Sequence, residues 1–181
     1  WNALRESGGP TGFTGYDSLD DGQAIVALVQ NGQSVDHANP GEVTFLTKDT
    51  PFYAESGGQA GDTGVALFEN GARIDITDVQ KRAGDLHAHI GQLSGEIALG
   101  DVAHLAVNAD NRERTKRNHS AAHLLHQGLR RVLGEHVTQK GQMVDGERIR
   151  FDISHGAAIT REELARVEDE VNAIILQNAP A

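Results

Sequence analysis

The chain has 181 residues, enough for one ordinary domain or two small ones with apolar cores. It contains no cysteine, which excludes disulfides and cysteine-ligated zinc ribbons, and no apolar run suited to export or membrane spanning. We therefore expect a cytoplasmic protein without membrane contact. The formal net charge of −10 opposes non-specific binding to phosphate, so any nucleic-acid site must be local.

Short apolar runs separated by glycine turns fill the chain before about residue 110. Turns such as Asn31-Gly32 and Asn70-Gly71 are typical of β-hairpins, and the pattern predicts a small barrel or sandwich, with a closed antiparallel barrel over residues 1–109 as our interpretation. Residues Trp1 to Ser7 carry no clear element. The predicted strands are Ala24 to Gln30, Val43 to Thr47, Val65 to Glu69, Arg73 to Asp78, Asp85 to Ile90 and Val102 to Asn108.

From Asp110 the apolar period changes to that of a helix, and Gly134 supplies a stop signal. A predicted hairpin follows, turning at Asp145-Gly146, and a second helix opens at Thr160 with Glu163 placed for a capping box. The fold class is therefore α+β, a barrel followed by a helix-hairpin-helix domain over residues 110–181. A two-stranded sheet is marginal alone, so we expect the chain to be an excised fragment of a longer protein.

Two histidines, His119 and His123, stand four residues apart on the first helix and can turn their imidazoles toward one metal ion. Ser120 replaces the glutamate of the H-E-x-x-H motif, so metalloprotease chemistry is excluded. Alternatively, the pair is simply hydrogen-bonded at the helix edge. Two ligands are an incomplete zinc set unless His126, a carboxylate or a group outside this chain contributes.

Two further segments offer polar groups, each with an alternative structural explanation. Thr50 to Gly64 is glycine-rich, and is either a turn-rich connection or a loop that cradles a nucleotide or aminoacyl end. Gln139, Lys140 and Gly141 lie on the first hairpin strand, and their side chains either face the histidine helix or form an exposed strand face.

Five segments follow one another in a fixed order: Thr50 to Gln59, Asp78 to Lys81, Asn118 to His126, His136 to Gly141 and Arg150 to His155. Taken together, they resemble the editing region of alanyl-tRNA synthetases, and the similarity extends over about Phe13 through Asn178. In that family a β-barrel precedes an α+β editing domain, which hydrolyses serine or glycine esters mistakenly formed on alanine tRNA. A further stretch, Phe13 to Asp17, resembles the synthetase's entry into its barrel and favours a synthetase fragment over a free-standing alanyl-tRNA editing protein.

The resemblance also implies a zinc ion held by H-x3-H and by a later C-x3-H. His119 and His123 match the first pair, whereas the later cysteine and histidine are not in this sequence. We therefore expect a fragment cut within its editing domain, with weak zinc binding and no activity alone. ATP and magnesium are implied only for the parent's catalytic domain, and the implied partners are alanine tRNA, the mischarged seryl or glycyl ester and the parent's other domains.

Residue roles follow from the same resemblance. Catalysis is implied for Gln139 together with His119 and His123. Ala122 stands where relatives usually carry threonine, so we expect a weakened preference for serine, on the order of one neutral hydrogen bond or 0.5–1.5 kcal/mol. The residues implied in tRNA or substrate binding are Gly57, Gly58, Gln59, Lys81, Arg117, Ala122 and Lys140.

Other functions remain open at this point. One is a non-catalytic module that docks the tRNA acceptor end and spaces the parent's domains. A second is a free-standing trans-editing deacylase, and a third is an unrelated α+β protein that happens to carry histidines. If the chain is a synthetase fragment, the arginines of the first helix, from Arg112 to Arg131, are predicted to contact tRNA phosphates.

Overall fold

The computed structural model describes residues 1–177. Contacts divide the chain into two compact units. The first combines Trp1–Ser56 with Ala60–Arg112, and the second combines Gly57–Gln59 with the chain from Glu113 onward. Among the described residues, no helix has both the length and the apolar character needed to span a bilayer.

The first unit is built mainly from β-strands. Its elements are helix α1 (Asn2–Gly8) and strands β1 (Gly12–Phe13), β2 (Asp20–Gln30), β3 (Gln33–Ser34), β4 (His37–Ala38), β5 (Gly41–Thr47), β6 (Asp49–Thr50), β7 (Gly64–Phe68), β8 (Arg73–Arg82), β9 (Leu86–Ser94), β10 (Ile97–Ala98) and β11 (Val102–Val107). Strands β11, β7, β8, β9, β5 and β2 pair in that order, all antiparallel, and β11 also pairs with β2. The predicted closed antiparallel barrel is therefore confirmed.

Buried and exposed residues alternate along the barrel strands, which shows that one face of each strand points into the core. In β8, Ile74 and Ile76 are buried while Arg73 and Asp75 are exposed, as period-two alternation requires for a strand with one face inside. Inward residues of the other strands join one cluster that includes Leu28, Val43, Phe45, Ala66, Leu93, Ala103 and Leu105, and Phe52 from the segment after β6 belongs to it as well.

Helix α1 corrects the expectation that Trp1 to Ser7 form no element. Local signals are weak, because no side chain caps its N-terminus and the helix has only seven residues. Tertiary contacts stabilise it: Leu4 packs against a small cluster that contains Leu46 and Leu86, and Arg5 forms an ion pair with Asp85. Propensity alone therefore did not reveal this helix.

A fully buried histidine, His89, lies inside the barrel. Its Nδ1 is 3.2 Å from the carbonyl oxygen of Phe45, which only accepts, so Nδ1 donates there. Its Nε2, 2.8 Å from Oγ1 of Thr50, then accepts the hydroxyl proton. The neutral ring is thus satisfied at both nitrogens, and burial lowers the pKa of His89 to about 3.

This buried histidine predicts an acid-sensitive barrel. The unfolded chain takes up a proton on His89 near pH 6.5, whereas the folded chain does so only near pH 3, so stability is full above pH 6.5 and falls as the pH drops. Between pH 7.5 and pH 5 we expect His89 to account for a loss of about 2 kcal/mol in the free energy of unfolding. Urea denaturation at both pH values, for the wild type and His89→Gln, measures it; an equal pH dependence in both proteins would contradict the prediction.

The second unit contains a hairpin packed with two helices. Its elements are α2 (Ala109–Leu133, of which the first four residues belong to the first unit), β12 (Thr138–Val144), β13 (Ile149–Ser154) and α3 (Arg161–Leu176). Gly134 ends α2 with φ +117°, as predicted. Thr160 and Glu163 form the predicted capping box, and backbone and hydroxyl donation from Thr160 holds the pKa of the Glu163 carboxyl below its usual range. Leu129, Val137 and Val167 form the buried centre of this unit.

Candidate functional site

The histidine pair of α2 lies together in the second unit. His119 and His123 occupy successive turns of the helix, and their ring centroids are 5.1 Å apart with 22° between the ring planes. His119 is half-buried and His123 is exposed. The spacing therefore places the two imidazoles side by side, as predicted, with one of them open to solvent.

Gln59 contacts the half-buried member of the pair. Its amide oxygen, Oε1, makes a short hydrogen bond with Nδ1 of His119. An amide oxygen can only accept, so Nδ1 carries the proton in this contact. In the neutral imidazole the free lone pair is then on Nε2 of His119, the state that a metal-binding histidine needs.

The backbone around Gln59 is fixed by β12. Nε2 of Gln142 donates to the carbonyl oxygen of Gly57 over 2.8 Å, and the Val144 amide donates to the carbonyl oxygen of Gly58, also over 2.8 Å. Gln59 itself pairs with Val144 in a parallel bridge. Residues 57–59 thus lie beside β12 like a short additional strand.

Position 58 requires a glycine for steric reasons. Its φ is +85°, and a Cβ built there would lie 2.3 Å from the carbonyl oxygen of Gln142. No side chain fits such a distance without movement of one of the two backbones. The preceding Gly57 also has a positive φ, +61°, but a Cβ there would meet no atom within 4 Å.

His126, the third histidine of the stripe, does not join the pair. Its ring lies 5.4 Å from that of Phe151, and its Nε2 is buried without a hydrogen-bond partner in residues 1–177. Within the same described range, no three His, Asp or Glu side chains gather in a geometry that could hold a metal ion. His119 and His123 fit zinc by their donor chemistry, and they supply half of a four-ligand set.

Gln139 and Lys140 lie toward the other end of β12. Gln139 pairs with Ile153 and Gly141 with Asp152, so Lys140 is the extra residue of a β-bulge. Both side chains are exposed. Val144, which contacts the Gln59 segment, is five positions after Gln139, a distance of roughly 16 Å along an extended strand. The structure therefore groups Gln59, His119 and His123 and places Gln139 and Lys140 apart from that contact.

Lys81 belongs to a polar network on the barrel unit. Its Nζ donates to Oγ of Ser56 over 3.2 Å, and the neighbouring Gln80 donates to Oε2 of Glu55 over 2.6 Å and to Oδ2 of Asp78 over 2.8 Å. These bonds hold residues 55 and 56 against β8. Lys81, which was predicted to bind substrate or tRNA, thus has a structural partner in Ser56. The structural role of Gln80 was not predicted, because the sequence does not show which groups its amide contacts.

The basic residues of α2 differ in their exposure. Arg117 is exposed, whereas Arg112 is buried. Ala122, an apolar residue of the same helix, is 1% exposed, so protein covers its methyl group. Arg112 corrects the expectation that every arginine of this helix meets phosphate. Its guanidinium is buried, pairs with Asp62 and donates to the carbonyl oxygens of Gly15 and Pro51. These partners hold it within the barrel unit.

Comparison with known proteins decides the family. A family model described as tRNA synthetases class II (A) matches residues 1–111, more than half of the chain. The chain belongs to this family. The resemblance predicted from the sequence motifs is thereby confirmed at the level of this family, and the relatives described next are alanine–tRNA ligases.

The curated relatives of this chain include several alanine–tRNA ligases. That of Hyphomonas neptunium is 51% identical over 179 residues, which cover 98% of this chain and 20% of the relative. Those of Caulobacter sp. strain K31 and Caulobacter vibrioides are each 50% identical over 182 residues, covering all of this chain and 20% and 21% of the relative. The chain spans about a fifth of the length of the curated relatives it matches.

Proposed function

We propose that this chain is the proofreading region of an alanine–tRNA ligase, and that within the parent protein it serves the hydrolysis of seryl and glycyl esters formed in error on alanine tRNA. The parent would join alanine to tRNA using ATP and magnesium in a catalytic domain outside this chain. Identity of about 50% along the whole chain to alanine–tRNA ligases supports the parent function. The observation that carries the proofreading role is the His119 and His123 pair, with Gln59 bonded to His119.

The arrangement suits ester hydrolysis. Such a reaction needs a positioned water and stabilisation of the oxyanion that develops on the ester carbonyl. A zinc ion bound by His119 and His123, with its remaining ligands from elsewhere in the parent, would supply a Lewis acid for that purpose. His119 would hold it through Nε2, since its Nδ1 proton is engaged by Gln59. His123, being exposed, leaves its side of the pair accessible to a substrate.

Exposed polar residues would bind the tRNA end. Lys140 projects from the bulge of β12 and Arg117 from α2, and cations of this kind contact phosphates without reading sequence. Gln139, exposed beside Lys140, offers an amide that can donate to and accept from the amino acid or ribose. With a net charge of −10, binding should depend on these local cations and weaken steeply with salt.

Release of serine from seryl-tRNA of the alanine type tests this function. The full-length ligase should release serine, and His119→Ala/His123→Ala should slow release by at least about 100-fold while alanine charging stays unchanged. A matched control is His37→Ala/His104→Ala, which removes two exposed histidines of the barrel unit and should leave both rates unchanged. Equal release by the wild type and the histidine-pair variant would overturn the proofreading proposal.

A non-catalytic docking module is the second candidate. It is favoured by one observation: within the described residues, no third His, Asp or Glu gathers with His119 and His123 to complete a metal site. In that case removal of the pair would leave serine release unchanged, whereas Arg117→Ala would weaken tRNA binding. A free-standing deacylase fits less well, because the relatives are ligases of which this chain covers a fifth.

A further inference from the structure

We propose that Gln59 is a positioning residue for His119: its amide oxygen selects the Nδ1-protonated tautomer and so presents Nε2 as a metal ligand. This inference rests on the proposed zinc-dependent function. It also changes the expected role of the glycine-rich segment, which was predicted to contact substrate or tRNA. In the structure this segment approaches the histidine pair through its Gln59 side chain.

The contact decides between two tautomers. A neutral imidazole carries its proton on either Nδ1 or Nε2, and only the unprotonated nitrogen binds a metal. With Oε1 of Gln59 at Nδ1, the Nδ1-H form gains a hydrogen bond and the Nε2-H form brings two lone pairs together. Neighbours that orient a ligating histidine in this way typically change metal affinity by about 10- to 100-fold.

His123 has a different environment. It is exposed, and its ring stacks on that of His119. The pair is therefore asymmetric: one imidazole is fixed in its tautomer and orientation before a metal arrives, and the other can rotate to meet it. We expect the free energy of metal binding to depend on Gln59 mainly through His119.

The segment is held independently of the Gln59 side chain, which makes the contact testable. Backbone atoms of Gly57 and Gly58 bond to Gln142 and Val144, and the bridge between Gln59 and Val144 is also made by the backbone. A change of the Gln59 side chain should therefore leave residues 57–59 beside β12. Any change at His119 then reports the lost amide oxygen, and not a displaced loop.

Two variants separate the acceptor from the shape of the side chain. Gln59→Leu removes the acceptor at similar size, whereas Gln59→Glu keeps an oxygen that accepts. Gln92→Leu, which changes an exposed glutamine on β9 of the barrel unit, is the matched control. Comparison of backbone amide spectra confirms that each variant is folded.

The first readout is the tautomer of His119 in the metal-free chain at pH 8, from ¹⁵N chemical shifts of the labelled ring, assigned with His119→Asn. We expect Nδ1-H in the wild type, Gln59→Glu and Gln92→Leu, and a shift toward Nε2-H in Gln59→Leu. The Nε2-H form in the wild type, or an unchanged tautomer in Gln59→Leu, would overturn the inference.

The second readout is zinc affinity of the same proteins, measured by competition with a chelating dye. Gln59→Leu should bind zinc about 10- to 100-fold more weakly than the wild type, and Gln59→Glu should recover most of the affinity. Equal affinities of Gln59→Leu and the wild type would argue against positioning. Neither readout uses a seryl ester, so failure of serine release with both results as expected would refute the proofreading function and leave the role of Gln59 intact.

Discussion

Removal of the Asp62 carboxylate by Asp62→Ala is expected to lower the free energy of unfolding by about 3–5 kcal/mol. The carboxylate is 6% exposed and pairs with the Arg112 guanidinium, whose side chain is 11% exposed. Without it, Arg112 becomes a buried charge that no carboxylate balances and that keeps the carbonyl oxygens of Gly15 and Pro51 as hydrogen-bond acceptors. The Tyr53 amide, which donates to Oδ2 of Asp62 over 2.6 Å, also loses its acceptor.

Urea denaturation followed by circular dichroism measures this loss. The matched control is Asp75→Ala, which breaks an exposed ion pair with Arg73 and should change stability by less than about 1 kcal/mol. If the loss comes from an unpaired buried charge, the apolar double variant Asp62→Leu/Arg112→Met should recover part of it. Losses of similar size at Asp62 and Asp75 would show that the buried pair has no special role.

Gly58→Ala is expected to destabilise the second unit by about 2–4 kcal/mol, from a left-handed backbone and a steric clash combined. The added Cβ would lie 2.3 Å from the carbonyl oxygen of Gln142. We expect residues 57–59 to separate from β12, which would break the bond from the Val144 amide to the Gly58 carbonyl. Hydrogen exchange of the Val144 amide should accelerate accordingly.

Gly57→Ala is the control for Gly58→Ala. Gly57 has the same sign of φ, but a Cβ there meets open space, so only the backbone penalty of roughly 1–2 kcal/mol applies. The difference between the two alanine variants isolates the close approach to Gln142. Equal stabilities, with unchanged exchange at Val144, would show that Gly58 tolerates a side chain and that the approach is not required.

Much of the fold was predictable because its signals are local. Short apolar runs separated by glycine turns predicted the barrel strands, and the change to a 3.6-residue period predicted α2 together with its end at Gly134. Helix α1 was not predictable, since Leu4 and the Arg5 ion pair act through residues far along the chain. For the same reason β8 extends to Arg82, beyond the predicted end at Asp78, where its pairing with β9 continues.

The candidate site likewise has features that the sequence predicts and features that it does not. The proximity of His119 and His123 follows from helical spacing, so the sequence predicts it. The contact from Gln59 spans 60 residues of sequence, and no periodic pattern carries such information. The two glycines before Gln59 were the available signal, because they permit a close backbone approach without identifying the partner. Arg112 shows the converse: its charge predicted a phosphate contact, and burial beside Asp62 gave it a structural role.

The second unit is discontinuous in sequence, and this has a consequence for how shortened forms of the protein should be designed. A fragment starting at Glu113 would contain both histidines and the hairpin, but β12 would lack residues 57–59 along one edge. Exposed strand edges promote association between chains. Supplying a peptide of residues 53–63, or tethering it to such a fragment, would restore the missing strand and the acceptor for His119.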